Sequence, residues 1–199
     1  MYLISVEGGD GSGKGEAVRL LSEIAATFPF PKVHVTHEPR RHSKLGKIAL
    51  AAVKKESLSP LREAGLFAAD RVDHSHTWIR PKLQCGELVI SDRNVHSSLV
   101  YQGIVGSLGV ECVAQMNSAA MRPDLVIWID CDPKKAMKRI ETGTLRIAGS
   151  GKQEYFETTE LQTKIRKGFS DMFTGKISIP QPFHKCCVVG PILNEGGLG

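Results

Sequence analysis

The run Gly8-Gly9-Asp10-Gly11-Ser12-Gly13-Lys14 leaves a short apolar stretch, Tyr2–Val6, and opens a helix-like run from Glu16 to Thr27. A strand that ends in a glycine-rich turn before a helix aims backbone N–H groups, a helix N-terminus and one lysine at the same small volume. That arrangement suits a polyphosphate. Residues Gly8, Gly9, Asp10, Gly11, Ser12, Gly13, Lys14 and Gly15 are therefore the candidate phosphate cradle, with Lys14 a candidate catalytic cation. The pattern G-x-x-x-x-G-K-[ST] wants a hydroxyl after the lysine to hold Mg²⁺, and here that position is Gly15.

Apolar, β-rich stretches recur at Val33–Thr36, Leu88–Ser91, Leu125–Ile129 and Cys187–Val189. Between them lie helical patterns at Lys44–Lys55, at Pro60–Gln84, after Asp132-Pro133 to Glu141, and at Glu154–Phe173. Pro60 suits a first helical turn and Gly86 a helix end. The alternation predicts an α/β fold, a five-stranded parallel sheet flanked by helices. The glycine-rich, basic stretch at 142–153 is expected to be a mobile lid, and the tail at 190–199 is expected to fray.

With 199 residues and 41% hydrophobic content, the chain can bury one core, and residues 1–199 are expected to form a single domain. A net charge of +5 without a long run of like charge gives no ground for expecting nucleic acid; a small anionic substrate suffices. Five cysteines without a C-x-x-C fit a reducing compartment. No charged leader and no apolar run of membrane-spanning length is present, so a cytoplasmic protein without a membrane partner is expected.

Asp92 follows an apolar strand and should emerge at its carboxyl end, where open α/β sheets bind ligands and where a carboxylate can hold Mg²⁺. Arg93 adds a forked cation suited to phosphate oxygens. Phe67, Asp70 and Arg71 fall on one face of a predicted helix, where a ring and a guanidinium could stack on a base and donate to its edge. Asp10 is acidic where phosphates must approach, so it needs another role.

The ordered series Glu7 to Lys14, Thr36-His37-Glu38-Pro39, Leu66-Phe67-Ala68-Ala69-Asp70-Arg71, Asp92-Arg93, Ser97-Ser98-Leu99-Val100-Tyr101-Gln102-Gly103 and Arg122-Pro123-Asp124-Leu125 resembles the thymidylate kinase family. The resemblance implies a three-layer P-loop nucleoside monophosphate kinase, usually a homodimer, that transfers the γ-phosphoryl group of ATP to dTMP. By matching motif, Asp10 would meet the deoxyribose 3′-hydroxyl, Phe67 would stack on thymine, and Arg71 would donate to its carbonyl edge. Ser98 would lie by the base and Tyr101 under the sugar. Arg93 and the lid residue Arg146 would serve catalysis on the phosphates, with Asp92 near the metal. Gly11, where the other type has arginine, makes the loop similar to the bacterial type.

The chain also departs from that pattern. Gly15 replaces the metal-binding hydroxyl and Glu16 follows it; His37 stands where many relatives have arginine; Arg40-Arg41 replace glycines; Asn94 replaces an aromatic residue or histidine. The usual final helix has no counterpart after Val189. Weak turnover is the expectation these departures set. The alternatives are a nucleotide-binding regulatory or interaction paralogue, and a kinase for another deoxynucleoside monophosphate.

Overall fold

Strand β1 (Tyr2–Glu7) runs through the middle of a parallel sheet in a computed structural model that describes residues 2–55, 58–142, 158–183 and 187–193. The chain continues through α1 (Lys14–Ala25), β2 (Val33–His37), α2 (Lys44–Lys55) and α3 (Pro60–His74). A π-helical segment, Ser75–Ile79, carries α3 into α4 (Arg80–Gln84) before β3 (Leu88–Asp92). Pro60 occupies the first turn of α3, and Gly86, with φ of 78°, closes the run that ends at Gln84, both as the sequence predicts.

The segment between β3 and β4 had no predicted elements, yet it holds α5 (Val95–Ser98), a π-helical segment Leu99–Val105 and α6 (Val110–Met116). Residues 94–103 are all buried, so no polar face remains to give a helical period. Strand β4 (Leu125–Asp130) then leads to α7 (Pro133–Glu141), and α8 (Thr159–Phe173) precedes β5 (Cys187–Leu193). Asp132 caps α7 by accepting from the Lys134 and Lys135 amides at 2.8 and 3.2 Å.

The order is β2-β3-β1-β4, with β5 added alongside β4, and every pairing is parallel. β5 runs to Leu193, four residues beyond the predicted end at Val189, so 190–193 belong to the sheet and not to a fraying tail. The misreading has a physical cause. Val189 pairs with Ile127 and Ile192 with Ile129, which leaves Gly190-Pro191 opposite the single residue Trp128 in a β-bulge. The predicted lid, including Arg146, lies outside the described residues except for Thr142.

One apolar cluster packs α1 on the sheet through Val6, Val18, Leu88, Ile90 and Ile129. On the other side Val95, Leu99, Val100, Trp128, Ile165 and Phe169 fasten α5, the second π segment and α8 to the same sheet. Trp128 stacks on Phe169 with centroids 6.4 Å apart. Among the described residues no helix is long and apolar enough to cross a membrane.

Beneath the end of β1, Glu7 and His96 are both 0% exposed, with Nδ1 4.0 Å from Oε1. Burial pushes the Glu7 carboxyl up to about 7 against the pull of Ser97 and Arg93. Burial, with Arg71 nearby, brings the His96 imidazole down to about 3, and neither ring nitrogen has a hydrogen-bond partner among the described residues.

These two groups set opposing pH dependences. The unfolded chain takes up the His96 proton below 6.5 while the fold refuses it until about 3, so stability is lost as pH falls through that window. The fold keeps the Glu7 proton from 4.5 up to about 7, so that stabilisation is present at low pH and lost as pH rises. Between pH 6.5 and 5 each contributes about 2 kcal/mol, in opposite senses. Urea unfolding over this interval should show His96→Gln gaining stability on acidification and Glu7→Gln losing it. A His96→Gln profile parallel to that of the parent would contradict a neutral buried imidazole.

Candidate active site

Val6 of β1 pairs with Asp92 of β3, so the glycine-rich loop and the Asp92-Arg93 pair leave neighbouring strand ends. Ligands of open α/β sheets bind at this edge. Gly11 has φ of 72°, and a Cβ there would sit 2.5 Å from the Ala136 carbonyl, so only glycine lets the loop pass α7. Gly13 precedes α1 with no side-chain cap, which leaves the first-turn amides of the helix for an anion. Lys14 donates from Nζ to the Gly9 carbonyl at 2.6 Å. Burial, then the Arg93 cation, lowers its pKa to about 8.

Arg93 joins the loop to the adjoining cleft. Its φ of 68° places a non-glycine residue in the left-handed region, at a cost of about 1–3 kcal/mol. The Arg93 amide donates to Val6 O at 3.0 Å, and its carbonyl accepts from Ser91 Oγ at 2.7 Å. Nη1 donates to Gly8 O and Ser97 Oγ, both at 3.1 Å. Nη2 donates to Asp10 Oδ1 at 2.5 Å and to Tyr101 Oη at 3.2 Å.

Asp10 also accepts from Tyr101 Oη at 3.0 Å and from Gln162 Nε2 at 3.1 Å, while Gln162 Oε1 accepts from the Asp10 amide at 3.0 Å. Burial alone would raise the Asp10 carboxyl, but Arg93 and then Lys14 hold it below the usual carboxylate range. Gln162, on α8, was not foreseen, since nothing in its neighbourhood in the sequence marks a site. Asp92 differs from Asp10: its Oδ1 is buried without a hydrogen-bond partner among the described residues.

Asp10, Phe67, Arg71, Arg93, Ser98 and Tyr101, the six predicted substrate residues, line one cleft with about 640 Å³ of empty space. Pro39, Leu50 and Val53 add an apolar wall. Arg71 is 2% exposed and is fixed from three sides. Nε donates to Glu38 Oε2 at 2.6 Å, Nη1 to Asn117 Oδ1 at 2.6 Å, and Nη2 to Ser98 Oγ at 3.0 Å. Asn117 lies far along the chain at the end of α6, with no local signal to identify it.

Asp70 does not share the cleft with Phe67 and Arg71. It turns to the start of α2, where its carboxylate accepts from the Arg40 amide, Arg40 Nε and Ser43 Oγ at 2.8, 3.0 and 2.6 Å. Arg40 is bound further by Asp73 at 2.5 Å. Burial, then Arg41, keeps the His37 imidazole below its ordinary pKa, and Nε2 accepts from the Arg41 amide at 3.1 Å. Neither His37 nor Arg40 therefore presents a spare cation; the Arg41 side chain is exposed.

Two of the departures read differently in three dimensions. A Cβ added to Gly15 would meet nothing within 4 Å. Glu16 is turned to Arg19, which donates to both its oxygens at 2.9 and 2.6 Å on the exposed face of α1. Asn94 is buried and accepts from the Val95 amide at 2.7 Å, which caps α5.

The thymidylate kinase family model matches residues 6–180. The chain is 39% identical over 178 residues to a probable thymidylate kinase of Thermococcus onnurineus, covering 85% of this chain and 82% of that one. It is 37% identical over 174 residues to the thymidylate kinase of Symbiobacterium thermophilum, covering 85% and 78%. The crystal structure of thymidylate kinase from Ehrlichia chaffeensis superposes with a TM-score of 0.69 at 26% identity, covering 100% of this chain and 89% of that one.

The buried ion pair under the cleft gives a stability test. Glu38→Ala removes the carboxylate that faces both Arg71 and His74 and leaves the buried guanidinium without its counter-charge. Urea denaturation should show a loss of about 3–5 kcal/mol, against less than about 0.5 kcal/mol for Arg41→Ala at an exposed position.

Proposed function

The chain belongs to the thymidylate kinase family, and from the geometry of its cleft we propose how its residues share the work of that family's reaction. It transfers the γ-phosphoryl group of ATP to dTMP, giving dTDP. The observation that carries the proposal is the meeting of Arg93, Asp10 and Tyr101 where the phosphate loop opens into the cleft.

The loop amides from Gly8 to Gly15, the α1 N-terminus and Lys14 hold the donor phosphates. In the cleft, Phe67 stacks on the thymine, Arg71 and Ser98 face its polar edge, and Pro39, Leu50 and Val53 surround its apolar side. Tyr101 packs under the sugar where a ribose 2′-hydroxyl would clash, and Asp10 accepts from the 3′-hydroxyl. Arg93 lies between the two sites and clamps phosphate oxygens as charge redistributes. Phosphoryl transfer asks for positioning and charge neutralisation, and these groups provide both. Arg146 is assigned the corresponding role from the lid.

The unpartnered buried Oδ1 of Asp92 fits Mg²⁺, which would be held by that oxygen, water and the phosphates. When bound, the ion neutralises and orients the phosphates of the donor. Gly15 withholds the usual hydroxyl, so turnover is slow and the Mg²⁺ requirement is raised. The protein works as a single-domain cytoplasmic homodimer.

A coupled ADP-release assay across a panel of monophosphates should show dTMP preferred over ribonucleotides and other deoxynucleotides. No ADP release with any monophosphate, from a protein that still binds nucleotide, would favour a binding module instead. Phe67→Ala should weaken dTMP about ten- to hundredfold, the scale of one lost base stack, and ATP far less. Equal weakening of both ligands would remove Phe67 from the base site. Gly15→Thr has room for its side chain and should raise turnover while lowering the Mg²⁺ needed for half-maximal rate. An inactive Gly15→Thr protein that still binds both nucleotides would place the defect elsewhere.

A further inference from the structure

Glu7 takes no part in the chemistry described so far. It is 0% exposed and does not line the cleft, yet both of its carboxylate oxygens point at residues that hold Arg93. Oε1 accepts from the Asn94 amide at 2.8 Å, the peptide group that follows Arg93. Oε2 accepts from Ser97 Oγ at 2.5 Å. Ser97 Oγ in turn accepts from Arg93 Nη1 at 3.1 Å.

The direction of these bonds matters. A hydroxyl has one proton and two lone pairs. With its proton committed to Glu7, Ser97 can offer only lone pairs to the guanidinium. Glu7 therefore fixes the Ser97 rotor in the sense that accepts from Arg93. At the other end it ties down the peptide that follows a residue held at φ of 68°, a conformation that an arginine does not adopt without support.

We propose that Glu7 is a positioning residue for phosphoryl transfer, holding Arg93 through the Asn94 amide at one end and through Ser97 at the other. The inference rests on the reading of Arg93 as the phosphate clamp. Above pH 7 Glu7 is ionised and offers an acceptor oxygen to each donor, and an amide is not equivalent. Two donors converge on Glu7, one on each oxygen, whereas glutamine supplies one acceptor oxygen and turns an NH₂ group toward the second donor. Glu7→Gln keeps the volume and breaks one arm of the support.

The test is a set of steady-state measurements on Glu7→Gln and Ser97→Ala, each made in the parent chain and in Arg93→Ala, with circular dichroism and urea unfolding on every variant. In the parent background each change should lower kcat by about ten- to hundredfold, the scale for a displaced catalytic group, while KM for dTMP moves by less than about threefold. In the Arg93→Ala background neither should lower kcat further, because the group they position is gone. A crystal structure of Glu7→Gln should show the Arg93 guanidinium moved from Gly8 O and Ser97.

Unchanged kcat in a folded Ser97→Ala or Glu7→Gln protein overturns the inference. So does an equal loss in both backgrounds, or a loss that follows unfolding alone, since each would mark a merely structural role. If Arg93→Ala itself leaves kcat intact, the reading of Arg93 fails and takes this inference with it. A loss at Arg93→Ala with none at Ser97→Ala or Glu7→Gln overturns the inference alone.

Discussion

Everything at this site depends on the ion pair between Arg93 and Asp10. Lys14 and Arg93 are two cations beside one half-buried loop, and each raises the cost of keeping the other charged. Asp10 supplies the counter-charge, and Arg93 and Lys14 in turn hold it ionised against burial. An acid in a phosphate loop would otherwise repel the ligand. Here it balances the cations while phosphate is absent and accepts from the sugar hydroxyl in the proposed complex. The rest of the fold keeps that pair in place: β1 and β3 bring the two residues to adjacent strand ends, and Tyr101 and Gln162 close the remaining sides of the carboxylate.

The sequence made part of this legible and hid the rest, for identifiable reasons. The strands β1 to β4, the helices α1 to α3 and the loop carry local signals, apolar runs, glycines and Pro60, that specify them within a few residues. The stretch after Arg93 carried none, because a segment buried on every side shows no period, and it is here that the π-helical segment presents Tyr101 and Gln102 to the cleft. Spacing puts Asp70 on one helix face with Phe67 and Arg71, but its partners were not legible for a related reason: helical spacing groups residues by face and says nothing of a loop that arrives from residues 40–43 to claim one of them. Asn117 and Gln162 act across 46 and 152 positions respectively, beyond any local pattern.

The departures from the family pattern divide by structural consequence. Glu16 is neutralised by Arg19 on the outer face of α1, and Asn94 has become a helix cap in the core, so neither opposes phosphate directly. Arg40 has been drawn into an acidic pair with Asp70 and Asp73, which takes it out of competition for the acceptor phosphate. Gly15 is the departure that reaches the chemistry. A Cβ there would meet nothing within 4 Å, so the fold leaves room for the hydroxyl side chain that the family pattern carries and that the proposed metal role would use.

The most direct test of this account is a crystal structure with dTMP and a non-hydrolysable ATP analogue bound together. The account predicts the dTMP 3′-oxygen within about 3.2 Å of an Asp10 carboxylate oxygen, the limit of a good hydrogen bond, and the Arg93 guanidinium in contact with phosphate oxygens. A complex in which the sugar lies away from Asp10, with Arg93 making no phosphate contact, would contradict it.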